Sequence, residues 1–136
     1  KFLKRIGLRI LREEMDADMS GYIECRTDGW VIGLNQYQNP RRQRFTLAHE
    51  LGHFILHREE VAKGRHMDQI MLRSEEGNAI ERQANEFAAQ LLMPKALFRA
   101  YLDAGIRNIE DLAAKFDVSM AAVRYRAFKL GHIKSY

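Results

Sequence analysis

The sequence predicts an α+β fold: a small antiparallel sheet packed on a helical core, closed by a helix-turn-helix-like pair at the C-terminal end. Three observations predict it. Two short runs rich in aromatic and β-branched residues flank Asp28-Gly29; apolar residues recur at helical spacing through 39–57 and 78–93; and two short amphipathic segments follow Gly105. At 136 residues and 46% hydrophobic composition the chain suits one globular domain. That domain is expected over 1–136, with a main part over 1–105 and a helical extension over 106–136.

The elements follow in order. Phe2, Leu3, Ile6 and Ile10 recur at helical spacing among Lys1, Lys4, Arg5, Arg9 and Arg12, which predicts a surface helix. The charges interrupt any apolar core, so the segment is not a targeting peptide, and no run reaches the length of a membrane span. The chain opens at Lys1 rather than methionine, which leaves room for an upstream module. Gly21 to Cys25 and Trp30 to Asn35 read as strands, joined by Thr27-Asp28-Gly29 as a hairpin turn. Asn39-Pro40 supplies an N-cap and a first-turn proline for a long helix ending near His57. From Arg58 to Gly77 the chain is polar and loop-like, with Gln69 to Leu72 as a short strand. A helix over Asn78 to Met93 carries the stripe Ile80, Ala84, Phe87, Ala88, Leu91 and Leu92, and Pro94 ends it and starts another. Two helices close the chain: Ile109 to Phe116 behind Asn108, and Met120 to Leu130 behind Ser119, with Gly131 as a stop.

Charge and cysteine usage narrow the function classes. A formal charge of +4 and a pI near 9.4 are mildly basic and mostly interspersed, compatible with an acidic partner without requiring one. The lone cysteine, Cys25, forms no internal disulfide and belongs to no zinc-holding cysteine cluster, which fits a reducing cytoplasm.

The most informative stretch is His49-Glu50-Leu51-Gly52-His53 inside the long helix. Residues four apart lie one turn apart on one face, so His49 and His53 can present ring nitrogens to one ion, with Glu50 beside it. A catalytic zinc takes three protein ligands and keeps a fourth position open, so a third ligand is required. The HExxHxxGxxH version is absent, since Leu56 and Glu59 stand where glycine and the third histidine belong. His57 lies about 12 Å along the axis from His49, too far to share the ion, and is expected to orient a ligand or to cap the helix. Glu81 shares a helical face with Ala84, Asn85 and Ala88 and can reach the ion; Asn78 three residues earlier equally suits a capping arrangement, leaving both readings open. Glu86 lies about 140° around the helix from Glu81 and is expected in solvent. Asn85 is expected to orient a ligand or to make an ordinary interhelical hydrogen bond. His66, Tyr22 and Tyr37 carry groups able to steady an oxyanion, but His66 sits in a polar loop where a solvated histidine is expected, and none is assigned.

Arg44-Phe45-Thr46-Leu47-Ala48-His49-Glu50-Leu51-Gly52-His53 through His57, followed by Glu81 to Pro94 with its Ala-Asn-x-Phe-Ala-Ala-x-Leu-Leu-Met-Pro ending, resembles the ImmA/IrrE family of metallopeptidases. The similarity runs from about Gly21 through the C-terminal helices. It implies a zincin-like catalytic part with a gluzincin-like site: zinc held by His49, His53 and Glu81, Glu50 as catalytic acid/base, and Asn85 and His57 supporting the ligands. It also implies a protein substrate, a helix-turn-helix repressor encoded on a mobile element or in a stress-response circuit.

Two other functions compete. Leu112 to Val123 has helix-turn-helix spacing, and Arg124, Arg126 and Lys129 offer cations to phosphates. Asp117, however, replaces the glycine favoured at the turn and adds a negative charge, so packing or substrate docking is favoured over DNA readout. A metal-binding sensor without catalysis is the third reading.

Overall fold

The structure, a computed structural model, describes residues 7–70, 72 and 78–135. Among these described residues are four strands, β1 (Leu8–Glu13), β2 (Gly21–Arg26), β3 (Gly29–Asn35) and β4 (Arg65–Asp68), and five helices. The helices are α1 (Pro40–Leu56), α2 (Ala79–Leu92), α3 (Lys95–Asp103), α4 (Ile109–Phe116) and α5 (Met120–Lys129). The class is α+β, as expected.

The sheet order is β1-β3-β2-β4. β2 and β3 form the expected hairpin, with Gly29 at φ 129 where a side chain would be strained. At its centre a Cβ on Gly33 would lie 2.0 Å from a ring carbon of Tyr22, so that position tolerates only glycine.

Two expectations are corrected here. The N-terminal segment, where it is described, is not a helix but strand β1, pairing parallel with β3 from Leu8↔Trp30 to Glu13↔Asn35. The sheet is therefore mixed rather than wholly antiparallel. Ile6, Leu8 and Ile10 fit a period of two as well as a helical one, and the pairing with β3, distant in sequence, decides between them; Phe2, Leu3 and Ile6 themselves lie outside the described residues. The short strand expected at Gln69 to Leu72 lies instead at Arg65–Asp68, where β2 offers its free edge from Gly21↔Asp68 to Glu24↔Arg65. Gln69, Ile70 and Leu72 are irregular, and Ile70 and Leu72 pack on the helical core.

Four of the helix starts read from sequence are made by side chains, while the start at Pro94 has no side-chain cap. Asn39 accepts from the Arg42 N–H, Asn78 from Glu81, Asn108 from Asp111 and Ser119 from Ala122. Helix α1 runs between two apolar clusters. Phe54 joins Leu8, Ile23, Ile32 and Leu34 under the sheet, while Phe45 and Ala48 join Ala88, Met93, Phe98 and Leu112 among the helices. Buried on both sides, α1 encloses His49, Glu50 and His53 at no more than 1% exposure. Helix α2 lies alongside it so closely that a Cβ on Gly52 would meet the Phe87 ring at 3.0 Å. Phe87 is what covers Gly52.

Candidate metal centre

Helical spacing stacks the His49 and His53 rings 4.7 Å apart, edge to face, on the α1 face turned toward α2 and β4. Glu81, in the first turn of α2, places Oε1 3.0 Å from His49 Nε2 and 3.1 Å from His53 Nε2. Both features read for Glu81 have a geometric counterpart: its backbone N–H takes the Asn78 cap, and its carboxylate turns to the imidazoles. Asp68, at the end of β4, approaches the same two nitrogens, with Oδ2 at 3.4 and 3.3 Å. The four side chains offer donor atoms that all lie within 4.8 Å of one another.

The other faces of both rings are held. Asn85 Oδ1 lies 2.7 Å from His49 Nδ1, so Nδ1–H donates to it and Nε2 is the nitrogen turned to the centre. His53 Nδ1 meets His57 Nδ1 at 3.0 Å, and His57 Nε2 reaches Gln83 Oε1 at 2.6 Å. Since Gln83 Oε1 only accepts, His57 carries its proton on Nε2 and receives the His53 Nδ1 proton. With the Nδ1 sides so engaged, both rings turn Nε2 to one point, where it would be bare once a metal displaced its proton.

His66 is not the solvated loop histidine that its sequence surroundings suggest. It lies on β4 two residues before Asp68, and its Nε2 contacts Asp68 Oδ1 at 3.1 Å and Glu81 Oε2 at 2.7 Å. The other two oxyanion candidates are elsewhere: Tyr37 is 66% exposed, and the buried Tyr22 hydroxyl donates to Glu13. Asp68 is the residue that sequence reasoning missed; the signal that could have found it is His66-x-Asp68, two polar groups at the period that shares one face of a strand. Glu86 is not at the centre, and it is not free in solvent either: the Tyr125 hydroxyl donates to it at 3.5 Å, with Arg126 and Lys129 at 4.0 and 3.9 Å.

The electrostatics call for a cation. Both Glu50 carboxylate oxygens and Asp68 Oδ2 are buried with no hydrogen-bond partner among the described residues, although Asp68 Oδ2 stands close to two ring nitrogens. Buried anions without donors are costly unless a positive charge compensates them. Protons fill that role here. Burial opposes charge on His49, but Asp68 and Glu81 outweigh it and hold the ring up to about 9, and hydrogen bonds to Asp68 and Glu81 hold His66 up to about 10. Burial works against ionised Asp68 and Glu81 too, yet the surrounding imidazoles keep both carboxyls below their ordinary values. Glu50 goes the other way: burial, then Asp68 and Glu81, push its carboxyl well above the ordinary range.

The donor set fits a divalent metal. An ion about 2.0–2.1 Å from four tetrahedral donors holds them roughly 3.3–3.4 Å apart, and the nitrogen-to-oxygen separations here run from 3.0 to 3.4 Å.

A small sheet, a central helix bearing His49-Glu50-x-x-His53 and a carboxylate arriving from a second helix define a zincin-like α+β protein. Residues 3–128 match the peptidase family described as the IrrE N-terminal-like domain, and the chain belongs to that family. It is 33% identical over 107 residues to the radiation response metalloprotease IrrE of Deinococcus radiodurans, covering 70% of this chain and 30% of that protein. It is 29% identical over 108 residues to the metallopeptidase ImmA of Bacillus subtilis (77% and 59%), and 37% identical over 100 residues to IrrE of Deinococcus deserti (70% and 34%). The chain thus spans roughly a third to three-fifths of the length of these relatives.

The C-terminal pair is helix-turn-helix-like in form, with Asp117 left-handed at φ 55 in its turn. Two of the three cations read as phosphate contacts, Arg126 and Lys129, have partners within the protein. Arg126 is 4% exposed and its Nε–H donates to the Met93 carbonyl, while Lys129 lies 3.9 Å from Glu86. Among the described residues, no helix is long and apolar enough to cross a membrane.

Proposed function

We propose that the protein is a zinc-dependent endopeptidase acting in the cytoplasm, and that its substrate is a helix-turn-helix repressor. One observation carries the reading: two imidazoles from α1 and a carboxylate from α2 converge on one point, with the fully buried, unpartnered carboxylate of Glu50 beside it. His49, His53 and Glu81 would hold the zinc. When bound, the ion supplies a Lewis acid that polarises a peptide carbonyl and acidifies water.

The remaining work falls to the chain's own groups. Glu50 takes a proton from the attacking water and delivers it to the leaving amine, and its raised affinity for protons suits both halves of that task. Asn85 and His57 keep the ligand rings in the tautomers that leave Nε2 free. Strand β4 is a sheet edge beside the centre, and an extended substrate segment would add along it through main-chain hydrogen bonds. A cavity of about 330 Å³ lined by Ser20, Phe45, Thr46, Ile70 and Leu72 opens one helical turn before His49 on α1, a place for an apolar substrate side chain.

The test uses zinc-loaded protein incubated with the repressor encoded beside its gene, with products read by mass spectrometry. The expected result is a single cut that chelation abolishes and Glu50→Gln eliminates while zinc stays bound. A Glu50→Gln variant that cuts at the parent rate overturns the assigned role. A protein that takes up no zinc overturns the reading altogether.

A further inference from the structure

We propose that Asp68 is a fourth protein ligand of this centre, so that in the resting protein the position needed for water and substrate is filled by the chain itself. The inference rests on reading the centre as a zinc site and concerns how that site is kept silent.

The two carboxylates are presented alike. Asp68 Oδ2 and Glu81 Oε1 each face both imidazole Nε2 atoms, at 3.4 and 3.3 Å for the aspartate and 3.0 and 3.1 Å for the glutamate. The second oxygen of each is taken by the same group: His66 Nε2 reaches Asp68 Oδ1 at 3.1 Å and Glu81 Oε2 at 2.7 Å. Each carboxylate therefore offers one oxygen to the centre and has the other tied back. A carboxylate serving only as a salt-bridge partner would be expected to satisfy its inward oxygen by hydrogen bonds. Asp68 Oδ2 is buried at the centre and, among the described residues, accepts no hydrogen bond; the two Nε2 atoms stand beside it at 3.4 and 3.3 Å.

The backbone fixes this placement. The Asp68 carbonyl accepts from the Ser20 N–H at 2.9 Å, and Asp68 pairs with Gly21 at the end of β4, so its carboxylate is delivered by the sheet. Two imidazoles and two single carboxylate oxygens make up four protein donors, and zinc sites closed by four protein ligands are of the structural, inert kind. Catalysis then requires Asp68 to swing away, leaving His49, His53 and Glu81 with one vacant position.

The experiment replaces zinc by cobalt(II) in the whole chain and reads the visible absorption with and without azide, a small anion that binds only where a coordination position is open. The parent spectrum is expected to ignore azide, and the Asp68→Ala spectrum to shift when azide is added. Chelator competition should show zinc affinity at least about tenfold weaker in the variant, the low end of what perturbing a ligand environment costs. A parent spectrum that responds to azide overturns the proposal and needs no variant to fold. So does an Asp68→Asn variant with parental zinc affinity and an unchanged cobalt spectrum. The protease reading fails separately: if Glu50→Gln still cuts, the acid/base role is lost while the azide result for Asp68 stands.

Discussion

Replacing Glu50 by glutamine should make the metal-free protein more stable while removing its activity. Glu50 is 0% exposed, both its carboxylate oxygens lack a donor, and Asp68 and Glu81 stand near enough to raise its proton affinity. A buried polar group left without a partner costs about 1–3 kcal/mol. Glutamine keeps the shape, removes the charge and brings an amide N–H₂ that can donate to the orphaned Asp68 Oδ2. The gain is capped because the raised carboxyl already escapes part of the penalty by taking up a proton, so about 1–2 kcal/mol is expected. For a chain of this length that is a rise in Tm of roughly 3–10 °C. Thermal melts in chelator at pH 8 read it directly. Adding zinc should shrink the gap, because a cation compensates the parent carboxylate and has less to offer the amide. A Glu50→Gln variant that melts at or below the parent without metal refutes the argument, since Glu50 would then have a partner that the geometry does not reveal. Stability gained by deleting a buried functional charge is the usual signature of an active site.

Two further outcomes follow from the same geometry. Asn85→Ala should weaken zinc binding by about 10–100-fold, because His49 loses the acceptor that fixes its tautomer; chelator competition measures this, Asn85→Asp should restore most of it, and unchanged affinity in the alanine variant refutes the orienting role. In the metal-free protein, His49 near 9 and His66 near 10 both hold protons more tightly than an unfolded histidine at about 6.5. The stability they contribute is fully present below pH 6.5 and is lost as pH rises through 9 and 10, so the metal-free Tm should fall over that window. Bound zinc takes the place of those protons and should flatten the decline; a metal-free Tm that climbs from pH 6.5 to 10 refutes the assignment.

Legibility from sequence followed the range of the interactions. Helix α1 was readable to the residue at its start because Asn39 and Pro40 act locally, and His49 and His53 were readable as a pair because four-residue spacing on a helix is itself a geometric statement. Glu81 was half readable: the Asn78 cap is local, but the direction of its carboxylate depends on where α2 lies against α1. β1, His66 and Asp68 were not. Each depends on a strand partner distant in sequence, and Arg65-His66-Met67-Asp68 carries no apolar alternation to mark it as a strand. The centre's missing carboxylate was thus hidden in the least patterned stretch of the chain.

The C-terminal helices make sense once the centre is seen to require two helices at a fixed separation. Arg44 Nη1 donates to the carbonyls of Phe116 and Asp117, and Arg41 pairs with Asp117 and donates to the Val118 carbonyl, so the first turns of α1 are tied to the turn between α4 and α5. At the far end, Arg126 of α5 donates to the carbonyl of Met93, the C-cap residue of α2. Both tethers join the extension to the helices that carry His49, His53 and Glu81. The left-handed Asp117, unsuitable for approach to phosphate, suits its contact with Arg41, and the inward Arg126 suits a carbonyl. A surface built for reading DNA would leave Arg126 outward; here it is buried on the Met93 carbonyl, and Arg41 and Arg44, though partly exposed, are bonded to the turn between α4 and α5, so these cations tie α1 and α2 to the extension.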